Sequence, residues 1–271
     1  MTNLQERAHP DGHDYDAGSP HLKHDDIREM ISKSLRDAVT HQIKIKGKCI
    51  ALEIGAGHGC FTQILVDAGA SVIVTEMSLP SADKLKCDYL GSKSVIVYHD
   101  DTGNWLGESD MSFDLIACIS VLHHIPDYLG FMEIAFDHIT ENGTFISWQD
   151  PLWYPRRTRL NLVFEKICYY SWRLTQKNLL SGLRTRLRRL QGILDENNPA
   201  DMVEYHVVRN GLDEQEILRL SGNFFERARL RKYFSTQNMA LQKYGQHEWA
   251  INTFGVILAE RNIRSVRDQV E

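Results

Sequence analysis

Hydrophobic positions along this chain follow two rhythms in turn. Short, nearly continuous apolar runs over 49–54, 71–75, 94–98, 114–121 and 144–148 read as strands buried in a sheet. Between them, apolar residues recur at steps of three and four over 60–68, 81–90 and 128–138, which predicts helices packed on that sheet. Ile27, Met30, Ile31, Leu35, Ala38 and Val39 keep the same spacing and predict an amphipathic helix over 24–42. Glu141-Asn142-Gly143 reads as the turn before the fifth strand. Past Gly211, Asp213 reads as an N-cap with Glu216 in the capping-box position, opening a helix that runs through Leu220. Two final strands follow over 227–233 and 249–259. Alternation of strand and helix predicts an α/β fold, Rossmann-like, with helices on both faces of a mostly parallel sheet.

Composition narrows the class without naming it. With 42% hydrophobic and 25% charged residues, the 271-residue chain is an ordinary globular one, long enough to bury a sizeable core. A net charge of −5 argues against a general nucleic-acid binder. Cys49, Cys60, Cys87, Cys118 and Cys168 are scattered without a C-x-x-C pair, and read as reduced core residues of a cytoplasmic protein. The first residues hold no apolar signal segment and the longest apolar run, near 115–122, is too short for a bilayer. Neither secretion nor membrane insertion is expected. Residues 1 to about 20 read as a solvated arm, and His9, His13, His21 and His24 match no metal-site spacing.

Candidate chemistry begins between 49 and 78. Gly55, Gly57 and Gly59 lie within five positions of each other, as a backbone needs when it must approach a ligand at the mouth of a sheet. Glu53 and Glu76 close the first two strands, so both carboxylates emerge at the carboxyl edge, where open α/β sheets bind ligands. Glu76 is placed to accept from ribose hydroxyls. Counted from Gly55, the dinucleotide fingerprint G-x-G-x-x-G/A puts Cys60 in its third glycine position, which disfavours NAD.

The spacing E-x-G-x-G-x-G instead resembles motif I of the class I S-adenosylmethionine-dependent methyltransferases. Downstream, VLHHIPD at 121–127 and NGTFISWQDP at 142–151 look like the corresponding region of that class's small-molecule group, which includes ubiquinone/menaquinone, natural-product and sugar methyltransferases. The resemblance covers about 48–151 and implies a seven-stranded sheet with its last strand antiparallel and a helical lid inserted before the sixth. It implies S-adenosylmethionine as cofactor, held by Glu53, Gly55, Ala56, Gly57, Gly59, Glu76, Met77 and Ser120. An acid after the third strand would take the adenine amino group, Asp100 ahead of Asp101. His123, His124 and Asp150 fall where members of the group keep a general base. Tyr15, Trp148, Trp153, Tyr154 and Arg156 are the residues expected to meet a small-molecule acceptor.

One stretch lies outside that resemblance. Between 156 and 189 there are ten Lys or Arg against one acid, Glu165. Leu160, Val163, Ile167, Tyr170 and Leu174 fall at helical spacing within it, so one side of a helix should be apolar, and Arg184, Arg186, Arg188 and Arg189 follow. This charge suits an anionic acceptor or an anionic membrane surface, and equally a solvated helix face or a contact between copies of the chain. The expected organisation is an arm and capping helix (1–45), a cofactor-binding core (46–151), a basic helical lid (152–210), and a return to the same core (211–271).

The expected activity is methyl transfer to a small molecule, to a hydroxyl before a carbon. A non-catalytic cofactor-binding protein that docks through the basic lid is the rival from another class. Nucleic-acid methylation is disfavoured by the charge and by the lack of an N/D-P-P-Y/F motif.

Overall fold

The computed structural model describes residues 19–175 and 210–261. Among them, β1 (Ile50–Ile54), β2 (Ser71–Glu76), β3 (Val95–His99), β4 (Phe113–Ile119), β5 (Ile139–Pro151), β6 (Phe225–Tyr233) and β7 (Thr253–Arg261) form one sheet in the order β3-β2-β1-β4-β5-β7-β6. The first five strands are parallel, and β7 runs antiparallel between β5 and β6. Strand order reverses between β1 and β4, the switch point outside which such sheets bind ligands.

The helices are α1 (Pro20–Lys23), α2 (Asp25–Lys46), α3 (Cys60–Asp67), α4 (Leu79–Asp88), α5 (Trp105–Glu108), α6 (Tyr128–Asp137), α7 (Arg159–Thr175) and α8 (Glu214–Ser221). Side-chain alternation along β4 shows why the sheet is covered twice. Leu115, Ala117 and Ile119 pack with Ile31 and Leu35 of α2 and Leu65 of α3, whereas Phe113, Ile116 and Cys118 pack with Met132 and Phe136 of α6 and Ile217 of α8. All seven residues of β4 are buried, as a strand covered on both faces requires.

Several expected boundaries move. Residues 249 and 250 belong to a 3-10 turn (Glu248–Ala250), so the final strand begins at Thr253. Glu141–Gly143 lie within β5 and not in a turn before it, but the pairing jumps from Phe113↔Ile139 to Leu115↔Thr144, so these residues bulge from the ladder. Asp213 does cap α8, accepting from the N–H groups of Gln215 and Glu216, while the Glu216 side chain turns to Arg219. Cys60 and Cys87 are exposed, so the core holds only Cys49, Cys118 and Cys168. His21 and His24 are buried and not part of a solvated arm.

The expected apolar stripe of α7 also ends elsewhere than in a core. Leu160, Val163, Ile167 and Leu174 are all more than half exposed, and the helix docks through Asn161, Phe164 and Cys168. Asn161 fixes that face by donating to the carbonyls of Trp249 and Ile251, each at 2.8 Å. Among the described residues no helix is long and apolar enough to cross a membrane. Tyr15, the arm before residue 19, Arg184, Arg186, Arg188, Arg189 and the tail beyond 261 lie outside the described residues.

Candidate active site

The chain leaves β1 through a loop in which Gly55, Gly57 and Gly59 all have positive φ, at 66°, 56° and 82°. A side chain would be strained there, and space is also short: a Cβ on Gly55 would lie 2.8 Å from Val121 Cγ2, and one on Gly59 2.6 Å from Leu85 Cδ2. Glu76, at the end of β2, fastens this loop. Its two carboxylate oxygens accept from the N–H groups of Gly57 and Ser78, each at 2.8 Å. Burial pushes its carboxyl above the ordinary range, against the pull of those N–H bonds. Glu53 is buried beside it and accepts from the Thr62 hydroxyl. Burial raises Glu53 to about 8.

A cavity opens above the loop, walled by His21, Glu53, Gly55, Ala56, His58 and Ile119. His21 enters it because α1, started by Pro20, turns the ring onto Phe61 of α3, with centroids 6.0 Å apart. Its Nδ1 is buried without a hydrogen-bond partner, and burial lowers the imidazole to about 4.

On the other side of the switch point, the 3-10 turn Leu122–His124 follows β4. His123 Nδ1 lies 2.9 Å from Asp150 Oδ1, and the His123 N–H donates to the same oxygen. The Ser147 hydroxyl donates to Asp150 Oδ2. Asp150 is fully buried, and a bulge shapes its approach: pairing with β7 shifts between Ser147↔Val256 and Asp150↔Phe254. Two side chains with positive φ flank the site, Ser120 (62°) after β4 and Gln149 (69°) in β5. Gln149 is held by the Tyr233 hydroxyl, which accepts from its N–H at 3.0 Å and donates to its Oε1 at 3.1 Å. His124 is half-buried with its ring centroid 4.1 Å from that of His123.

Other sequence candidates fall in different surroundings. Asp100 folds back on its own loop, accepting from the N–H groups of Gly103 (2.9 Å) and Trp105 (3.3 Å), while Asp101 is exposed. Met77 is half-buried and its carbonyl meets His99 Nε2 at 3.1 Å. Trp148 lies in the core, its indole N–H donated to Ser34, with the ring pressed on Gly255. Arg156 is bound by Asp213 and Glu214 and stacks over Trp153, 4.5 Å from the ring centroid. Tyr154 takes the Arg157 guanidinium over its ring. Among the described residues no group of three or more His, Cys, Asp or Glu could hold a metal ion.

The residues present fit a nucleoside carrying a charged head. Glycines open the loop, Glu76 is poised at its edge, and the cavity beside it holds a buried carboxyl and an unpaired imidazole nitrogen. With the sheet order above, this defines a class I S-adenosylmethionine-dependent methyltransferase. A family model described as "Methyltransferase domain" matches residues 25–189, and the chain belongs to that family.

Two curated relatives are each named ubiquinone biosynthesis O-methyltransferase. One, from Pseudomonas fluorescens, is 24% identical over 106 residues, 39% of this chain and 45% of the relative. The other, from Coxiella burnetii, is 32% identical over 89 residues, 33% of this chain and 38% of the relative. The chain therefore spans less than half the length of these relatives. Among solved structures, the N-methyltransferase NodS from Bradyrhizobium japonicum, in complex with S-adenosyl-L-homocysteine, shares the fold at a TM-score of 0.52. It is 14% identical, and the match covers 97% of this chain and 98% of that one.

From the sequence alone His21 reads as part of a solvated arm, and Ser147, Gln149 and Tyr233 are given no part in the site. Pro20 immediately before His21 was the available signal for the first, since proline in a first turn marks where a helix starts and so ends the arm. Tyr233 and Gln149 are 84 residues apart, and no local pattern joins them.

Proposed function

We propose that this protein methylates a hydroxyl of a small-molecule acceptor, with His123 as general base and Asp150 as its positioning partner. The contact between His123 Nδ1 and Asp150 carries the reading. With Asp150 already accepting from the Ser147 hydroxyl and the His123 N–H, its Oδ1 is placed to accept the imidazole proton at Nδ1, which leaves the lone pair on Nε2. Asp150 does not serve as the base itself, because Ser147 and His123 occupy its two oxygens.

Glu76 and the Gly55–Gly59 loop would hold the cofactor's ribose and amino-acid head, and bound S-adenosylmethionine supplies a methyl group already activated for displacement. The chain then has two tasks: to align the acceptor oxygen, and to remove its proton at Nε2 of His123 as the new bond forms. The imidazolium produced is stabilised by the Asp150 carboxylate behind it. Oxygen as the acceptor atom is supported by the names of the curated relatives.

The test is transfer of labelled methyl from S-adenosylmethionine into an extract of source cells, followed by NMR of the product. A methyl on oxygen, lost about a hundredfold or more in His123→Gln while S-adenosylhomocysteine still binds, supports the reading. A methyl on carbon moves the assignment to C-methylation. No transfer despite tight cofactor binding leaves a binding protein.

One observation favours a second element of function. The exposed stripe of α7 lies among Arg159, Lys166 and Arg173, a combination suited to an anionic lipid surface. We propose that α7 touches such a surface when the acceptor is lipid-borne.

A further inference from the structure

We infer that His21 reads the carboxylate of the cofactor's amino-acid head, and so makes the site selective for the intact amino acid. The inference rests on the cofactor reading above and adds a residue to it. His21 lines the cavity above the glycine loop, and its Nδ1 is buried with no hydrogen-bond partner among the described residues. Native structures rarely leave such a nitrogen unpaired unless something arrives to pair it.

The cavity's other walls say what arrives. Glu53 offers a carboxyl, one oxygen of which is taken by Thr62. Among the described residues no lysine or arginine lines this cavity. S-adenosylmethionine has three polar parts: adenine, a ribose diol, and a head bearing one ammonium and one carboxylate. Glu76, the acid suited to the diol, does not line the cavity. The head is the part whose ammonium and carboxylate both find partners in these walls, the ammonium donating to an oxygen of Glu53 and the carboxylate accepting an N–H of His21. His58 also lines the cavity but is exposed, so water competes with it for any anion.

Calorimetric titration with two ligands isolates the head. S-adenosylhomocysteine carries it; 5′-methylthioadenosine keeps the adenine, ribose and thioether without it. His21→Phe retains a ring to stack on Phe61 and lacks both nitrogens. It should bind S-adenosylhomocysteine about tenfold more weakly and methylthioadenosine unchanged. His21→Asn, which restores an N–H near the Nδ1 position, should recover part of the loss. His58→Ala should weaken S-adenosylhomocysteine less than His21→Phe does. Should His21→Phe not fold, as judged by its circular-dichroism melt, His21→Leu and His21→Asn provide the same comparison.

Equal losses for both ligands would mean the ring only shapes the pocket and would overturn the inference, as would no loss, or a loss that follows His58 instead. Wild-type protein that binds neither ligand would remove the cofactor reading and this inference together. Wild type binding both ligands with an indifferent His21→Phe removes the inference alone.

Discussion

His123 and Asp150, 27 residues apart in the chain, meet at 2.9 Å because β4 and β5 are parallel neighbours and both residues lie near the carboxyl ends. Nothing exposed takes part: Asp150 is wholly buried and His123 nearly so. A carboxylate in such a place is costly unless its oxygens are filled, and here the backbone N–H and Nδ1 of His123 and the hydroxyl of Ser147 lie against them.

Asp150→Asn tests the dyad. An asparagine has one acceptor oxygen in place of two and can donate to Nδ1, which would move the imidazole proton to Nε2. Methyl transfer should fall by about a hundredfold or more, with S-adenosylhomocysteine affinity unchanged. The expected loss of stability is about 1–3 kcal/mol, read by urea denaturation. A variant of full activity would show that Asp150 serves only the fold.

Glu76→Ala tests the loop anchor. It releases the N–H groups of Gly57 and Ser78 together, and should weaken S-adenosylhomocysteine about ten- to a hundredfold by calorimetry. Gly57→Val should abolish binding, since a β-branched residue is strained at a φ of 56°. Tight binding by both variants would place the site elsewhere.

Buried Glu53 and His21 predict opposite slopes of stability with pH. Glu53 goes from its usual 4.5 up to about 8 in the fold, so the native state holds the extra proton between those values. Its stability contribution is full below 4.5 and is lost as pH rises toward 8. His21 falls from 6.5 to about 4, so the unfolded state holds the extra proton in that window, and a contribution present above 6.5 is lost as pH falls toward 4. Between 4.5 and 6.5 the two slopes oppose each other. Urea denaturation across pH should show Glu53→Gln flattening the decline above 6.5, and His21→Phe flattening the decline below 4.5. Each slope is at most about 1.4 kcal/mol per pH unit. Unchanged profiles in both variants would contradict the burial of these groups.

Replacing Leu160 and Ile167 of α7 by Asp should reduce co-sedimentation with anionic vesicles several-fold. Both positions are exposed, so folding stability should move by no more than about 0.5 kcal/mol. Vesicle binding equal to that of wild type, with a change in gel-filtration mass instead, would assign the stripe to a contact between copies of the chain.

Much of the sheet was legible because burial on two faces leaves a mark that does not depend on distant partners. The apolar run at 114–121 gave β4 nearly whole, and the glycines and acids at 53–76 gave the loop. Where burial depends on residues far away, the sequence misleads. The stripe of α7 has a core-like period, yet among the described residues Leu160, Val163, Ile167 and Leu174 stay exposed, and the helix is held by Asn161 reaching the carbonyls of Trp249 and Ile251. Trp148 looked like an acceptor-facing aromatic beside the dyad, but Gly255 leaves room for its ring inside the sheet. His21 looked solvated because its neighbours are polar; it is buried by Phe61, forty residues on.

Placing β7 between β5 and β6 has a consequence for the order in which the molecule matures. Asp150 pairs with Phe254, so the strand carrying the dyad's acid has its outer ladder supplied from about a hundred residues further along. During synthesis, the loop of Gly55, α3 and the parallel strands can assemble first. The bulge that sets Asp150 against His123 cannot be pinned until β7 has slid into a gap that β6 must not close. Contacts that span so much chain form slowly. Affinity for the cofactor should therefore appear in a refolding protein before the catalytic geometry does.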